Sequence, residues 1–217
     1  MFSSIANAQR TCRILFVGDR KDAPQEVTLF DGKGFQKVEL PTMNLSPVYE
    51  VAAGEVSLRL LKEQVESPEL IPSGAPGAKL SESAGDFYLL VSNDPANKLL
   101  PLSMKVVDAD FSRFRMGEML WFNLTNNRIG GKLGDEKLDL KPNSRLISKA
   151  PTDKAGNFPV ELYYQRPGDK DVWPLCETKW IHNPNGRVVM FVIPEEGVRV
   201  PRLMGVPDFR KQEKKGS

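Results

Sequence analysis

Histidine is nearly missing from this chain. Its 217 residues include one, His182, and only two cysteines, Cys12 and Cys176. A structural zinc site takes four Cys or His ligands, usually in close pairs, and three such residues without a CxxC spacing do not supply it. Nucleophilic catalysis is restricted in the same way. Any Ser-His or Cys-His system would have to use His182, and no G-x-S-x-G elbow occurs. Cys176 and His182 fall on one face of what reads as a single strand, about 20 Å apart if it is straight, which is too far for a hydrogen bond.

Long hydrophobic runs are missing too. A membrane-spanning helix needs ~20 consecutive apolar residues, and the richest runs here, 87–91 and 188–193, are strand-length. Neither sign of charge dominates: 30 basic residues face 28 acidic ones, for a net charge of +2. A nucleic-acid protein needs a strong basic stripe to neutralise phosphates. The one basic concentration is the tail Arg210-Lys211-Gln212-Glu213-Lys214-Lys215, which reads as a solvated terminus. Gly130-Gly131-Lys132 lacks the spacer and the following Ser or Thr of a phosphate loop, so it reads as a glycine turn. These absences set the expectation of no cofactor, no metal, no nucleic-acid partner and no membrane span.

What the sequence does contain is the punctuation of a β protein. Seventeen Gly and 17 Pro are spread evenly, which favours many turns and few long helices. Period-2 alternation puts Val56, Leu58 and Leu60 on one sheet face, and likewise Leu138 with Leu140, and Val160 with Leu162 and Tyr164. The runs 14–17, 87–91, 119–124 and 188–193 are apolar on both faces and read as central strands. Asp31-Gly32-Lys33-Gly34 separates two strands as a hairpin turn does, and Asn183-Pro184-Asn185-Gly186 reads the same way between 172–181 and 187–193. Asn126-Asn127 and Gly130-Gly131 read as breaks after the Trp121 strand. A strand through Leu60 is preferred to its rival, a short helix built on Leu58, Leu61 and Val65. Residues 66–84, rich in Pro, Gly and Ser, read as a long loop or a projecting arm.

The expected fold is all-β: two tandem antiparallel immunoglobulin-like sandwiches. The first occupies 10–107 and the second 108–206, after a leader at 1–9 and before a disordered tail at 207–217. Each half is about the size of such a domain, although no clean sequence repeat links them. In the leader, Ala6 and Ala8 occupy the small-residue positions of an A-x-A cleavage site before Gln9. That pattern reads as the end of a signal peptide and implies export to the periplasm, the cell surface or the medium. An exported chain permits a Cys12–Cys176 disulfide; the alternative is two separate buried thiols.

A resemblance rests on Asp22-Ala23-Pro24, then Val27-Thr28-Leu29-Phe30-Asp31-Gly32, then Tyr49-Glu50-Val51-Ala52-Ala53-Gly54, Val56-Ser57-Leu58-Arg59-Leu60 and Phe87-Tyr88-Leu89-Leu90-Val91. Together these resemble a bacterial domain-of-unknown-function family of exported immunoglobulin-like sandwich modules, over residues 10–105. The resemblance implies fold and export and brings no catalytic residues. Gly18-Asp19-Arg20-Lys21 and the long 66–84 segment depart from the family pattern. The second half is placed in no family.

Few residues carry candidate chemistry. Asp108 and Asp110 share a strand face and could hold calcium, but in a linker they read as turn formers. Asp135-Glu136 and Glu195-Glu196 read as solvated loop residues. Asn123-Leu124-Thr125 fits the glycosylation acceptor pattern. The aromatics of the second half are the stronger signal. Trp121 reads as core, and Tyr163 reads as exposed because it is out of phase with Val160 and Leu162. Trp173 and Trp180 fall on opposite faces of a regular strand, with Pro174 disturbing the phase. Tyr163, Trp173 and Trp180 are therefore the candidate contacts for a glycan or a protein partner. The leading expectation is a non-catalytic exported structural or interaction module whose partner is another protein or a second copy. A carbohydrate-binding module is the alternative, and a hydrolase depending on His182 comes after it.

Overall fold

The computed structural model describes residues 10–18, 21, 23–149, 151–195 and 197–209. The leader at 1–9, Asp22 of the Asp-Ala-Pro turn, Glu196 and the basic stretch 210–217 lie outside the described residues. The chain divides into two compact units between Arg113 and Phe114, not between 107 and 108; Asp108 closes the last strand of the first unit.

The first unit contains β1 (Arg10–Phe16), β2 (Glu26–Phe30), β3 (Phe35–Glu39), β4 (Tyr49–Val51), β5 (Val56–Leu61), β6 (Gly77–Leu80), β7 (Phe87–Asn93) and β8 (Leu102–Asp108). They form two four-stranded sheets, ordered β4-β1-β7-β8 and β3-β2-β5-β6. One apolar core lies between them. Ile14, Phe16, Phe87 and Leu89 come from the first sheet and Val27, Leu29, Leu58 and Leu60 from the second.

The second unit contains β9 (Met119–Asn123), β10 (Arg128–Leu133), β11 (Glu136–Leu140), β12 (Arg145–Ser148), β13 (Gly156–Gln165), β14 (Trp173–His182), β15 (Arg187–Ile193) and β16 (Arg202–Asp208). Its sheets are ordered β12-β9-β15-β16 and β11-β10-β13-β14. Subtracting eight from each label reproduces the strand orders of the first unit. Trp121 and Met190 from one sheet and Ile129, Leu138, Val160 and Leu162 from the other share its core.

All ladders are antiparallel except one in each unit. β1 lies parallel to β7, from Cys12↔Phe87 to Phe16↔Val91, and β9 lies parallel to β15, from Met119↔Val188 to Asn123↔Val192. This corrects the wholly antiparallel expectation. After its first strand the chain crosses to the opposite sheet twice, laying β4 (β12 in the second unit) against the first strand in between, before it returns with the parallel strand; a parallel neighbour needs such a long crossover. The four runs read as apolar on both faces form these two central pairs. Leu15 and Tyr88 are buried on the face turned away from the first core, as are Leu120 and Phe191 in the second unit.

Several local expectations hold and others do not. Asp31-Gly32-Lys33-Gly34 joins β2 to β3, with the Asp31 carboxylate accepting from the amides of Lys33 and Gly34. Asn183-Pro184-Asn185-Gly186 closes no hairpin. It carries the chain from β14 in one sheet to β15 in the other, so its flanking strands never pair. Gly130-Gly131 is not a break but the middle of β10. Gly131 has a φ of +149°, and a Cβ there would stand 2.0 Å from the Glu161 carbonyl oxygen, so glycine serves close backbone approach within a strand. Residues 66–84 are no free arm. They contain a 3-10 turn, Pro68–Leu70, and β6, which pairs with β5 and buries Leu80. Pro207 and Asp208, assigned to a disordered tail by sequence, end β16, and Asp208 is fully buried.

Candidate interaction surface

The surface is the outward side of sheet β11-β10-β13-β14 together with its last strand. Alternation fixes the two faces. Leu138, Leu140, Ile129, Val160, Leu162 and Tyr164 turn into the core. Their neighbours in sequence therefore form rows across the outside. One row reads Asp139–Gly130–Tyr163, and the next reads Lys137–Lys132–Glu161–Glu177.

Gly130 has no side chain to fill its place between Asp139 and Tyr163. The result is a shallow open hollow of about 530 Å³, lined by Arg128, Lys132, Asp139, Glu161, Tyr163 and Val172 among others. Arg128 grips Asp139 with two hydrogen bonds, Nε to Oδ1 and Nη2 to Oδ2, each 2.7 Å. The hydrogen bond from Arg128 holds the Asp139 carboxyl below its usual range, and the same bond raises the guanidinium. Tyr163 is 41% exposed beside this fork.

The second feature is β14. Among the described residues it pairs with β13 alone, and it ends the sheet and runs for ten residues. Trp180 turns inward, stacked 6.1 Å from the buried Trp121 and edge-on to Phe158. Ile181, one residue on, points out and is 80% exposed.

The structure divides the sequence-predicted contacts. Trp180 belongs to the core, so it is removed from the exposed set. Trp173 is exposed, but its face differs from the sequence expectation. Leu162 pairs with Cys176 and Tyr163 with Pro174, so Leu175 is an extra residue. This bulge shifts the phase by one and puts Trp173 in register with Tyr164, on the side that Trp180 also takes. Arg166 lies over the Trp173 ring, 5.5 Å from its centre. Tyr163 is on the opposite side, so Tyr163 and Trp173 form no shared platform.

Cys12 and Cys176 are not joined to one another, so the disulfide that the sequence left possible is not made. Cys12 is sealed in the first core and Cys176 sits half-buried on the inner side of β14, where burial pushes its thiol up. His182 is 3% exposed at the end of β14, and its Nε2 carries no hydrogen bond among the described residues. Burial lowers its pKa and Asp153 opposes the shift. Asp108 accepts from the Asp110 amide and from Arg113, and Asp110 accepts from the Ser112 amide, which is turn chemistry. Asn123 is buried and spends its side chain on Asn127, Lys141 and Thr125, so it offers no glycosylation acceptor.

Among the described residues, no group of three or more His, Cys, Asp or Glu could hold a metal ion, and no helix is long and apolar enough to cross a membrane.

Sequence reasoning missed Ile181 and the Gly130 hollow. A signal existed for the first: Glu177, Lys179 and Ile181 share one strand phase, and Ile181 is the apolar exception on a charged face. None existed for the second, because the hollow depends on Asp139, Gly130 and Tyr163 meeting from three strands. Comparison with protein-family models and with curated proteins finds no match.

Proposed function

We propose that this chain is a non-catalytic exported interaction protein, built of two immunoglobulin-like sandwich domains in tandem, that engages a protein partner through the free edge of β14. The observation that carries this is the edge itself. Ten residues end a sheet with no second neighbour among the described residues, and Ile181 stands 80% exposed among charged residues on the outer face. An open strand edge is a template for adding a further strand. The sandwich reading is supported by two four-stranded sheets around one core in each unit, although the parallel central pairs depart from the usual immunoglobulin ladder. Export is supported by the Ala6-x-Ala8 pattern and by the resemblance of residues 10–105. The burial of His182 supports a non-catalytic role, since a general base must reach the proton it removes.

A photo-crosslinking residue at Ile181 tests the reading in cells that make the protein, with Lys37 of the first unit as the reference position. Discrete protein adducts from Ile181 and none from Lys37 are expected. The absence of adducts from Ile181 would contradict it.

One observation favours a second reading. Tyr163, the glycine hollow and the Arg128–Asp139 fork provide one stacking ring with polar groups around it, as a sugar ligand requires. Titration of a polysaccharide panel decides this: binding that Tyr163→Ala abolishes supports it, and an inert panel removes it.

A further inference from the structure

The occupant of the β14 edge is readable from the strand's own charges. We infer that β14 pairs antiparallel with β14 of a second copy of this chain, about a two-fold axis through Thr178. This rests on the reading of β14 as an interaction edge and names its partner.

The register follows from symmetry and charge. Paired side chains in a ladder share a face, so a two-fold axis normal to the joined sheet must pass through a residue. Beyond the 174–175 bulge the regular part of the edge is Cys176-Glu177-Thr178-Lys179-Trp180-Ile181-His182. Centring on Thr178 sets Glu177 against the second copy's Lys179 and Lys179 against the second copy's Glu177. Centring on Lys179 sets two lysines together and Glu177 against Ile181. Centring on Glu177 sets two glutamates together. Centring on Trp180 leaves Lys179 facing Ile181. Only the first choice matches every charge on the outer face, and like charges directly opposite one another destabilise a ladder.

Among the described residues these charges also lack partners. Glu177 lies across from Glu161 in the ladder with β13, a like-charge rung. Neither Glu177 nor Lys179 appears in any ion pair among the described residues. Lysine on an edge usually deters pairing. Here an acid two residues away turns the deterrent into a self-complementary code. A second copy would supply a lysine at the acidic end of the row Lys137–Lys132–Glu161–Glu177. Pro174 and the bulge would limit the paired part of the joint to residues 176–180 of each copy, symmetric about Thr178.

Charge reversal on the full chain tests this, because Glu177 and Lys179 are exposed and their replacement leaves the core intact. Sedimentation equilibrium should show a wild-type dimer. Glu177→Lys and Lys179→Glu should each weaken it by about tenfold or more, since each change places two like-charge pairs in the joint. The double exchange should restore it. In a Cys12→Ala, Cys176→Ser background, Thr178→Cys should cross-link to a dimer on oxidation and Lys179→Cys should not, because only Thr178 meets its own copy. A wild-type chain that stays monomeric overturns the pairing, as does a double exchange no tighter than the single reversals. The Ile181 cross-linking separates the two levels. Adducts only with a different protein, from a chain that is monomeric in isolation, leave the interaction reading standing without the self-pairing, whereas no adducts from Ile181 remove both.

Discussion

In the first unit the sheet β3-β2-β5-β6 ends on β6, four residues long, with Leu80 buried. In the second unit the corresponding sheet ends on β14, ten residues long and exposed over most of its length. The strand order is the same, so the plan of the fold does not decide which edge stays open. Edge length and side-chain choice do. A second contrast lies at the rung joining the seventh and eighth strands of each unit. The first unit pairs Phe87 with Asp108, and the second pairs Arg187 with Asp208. Phe87 is core, and Asp108 reaches partly into solvent to bond Arg113. Arg187 and Asp208 are both fully buried; the guanidinium donates to Asp208 at 2.7 Å and to the Phe114 carbonyl at 2.8 Å, and lies over the Phe114 ring. The two rungs face opposite ways: Phe87 turns into the core between its sheets, whereas Arg187 shares the outward face of Phe191, where Asp208 and the Phe114 carbonyl meet its charge.

The largest expected effect breaks this contrast at its ionic end. Arg187→Ala takes a buried guanidinium away from the buried Asp208 carboxylate and should cost about 3–5 kcal/mol. All three tryptophans, Trp121, Trp173 and Trp180, belong to the second unit, so their fluorescence in denaturant reports the loss there. Phe87→Ala should cost a similar amount in a transition seen by far-ultraviolet circular dichroism that leaves the tryptophan midpoint in place. Gly131→Ala comes next. Its Cβ would meet the Glu161 carbonyl, and its φ is one that L residues rarely adopt, so about 1–3 kcal/mol should be lost from the second unit.

His182 sharpens the comparison through pH, because the first unit has no histidine. Burial depresses its folded pKa, so between the folded and unfolded values the unfolded chain binds more protons. Stability of the second unit is then full above the unfolded value, near 6.5 for histidine. It falls as pH drops through that value toward the folded one, by at most about 1.4 kcal/mol per pH unit. His182→Gln should flatten this slope in urea melts followed by tryptophan emission. The smallest effect is expected at the Arg128–Asp139 fork, where both side chains are more than half exposed. Arg128→Ala should leave the midpoint almost unmoved, because solvent screens an exposed ion pair.

Much of this contrast was legible in the residues, and the unreadable parts share a cause. The four doubly apolar runs named the central strands, since burial on both faces leaves no polar phase. Alternation at Val160, Leu162 and Tyr164 gave both the core face of β13 and the exposure of Tyr163. Sheet membership was not legible at Asn183-Pro184-Asn185-Gly186, because an Asn-Gly turn looks alike whether the chain stays in one sheet or changes sheets. The orientation of Trp173 was lost at the bulge, where one extra residue inverts the phase. The parallel pairs were hidden because their partners lie some 70 residues apart in sequence and no local pattern records them. Glu177 and Lys179 were visible as charges, but their meaning depends on β14 being an edge.

The most direct test of the central claim, that the long edge of β14 takes up a second strand and the short edge of β6 does not, is amide hydrogen exchange on the full chain at low and high concentration. The account predicts added protection at high concentration within β14, centred on Thr178, with β6 unchanged. Protection that does not change in β14, or that rises equally in β6, would contradict it.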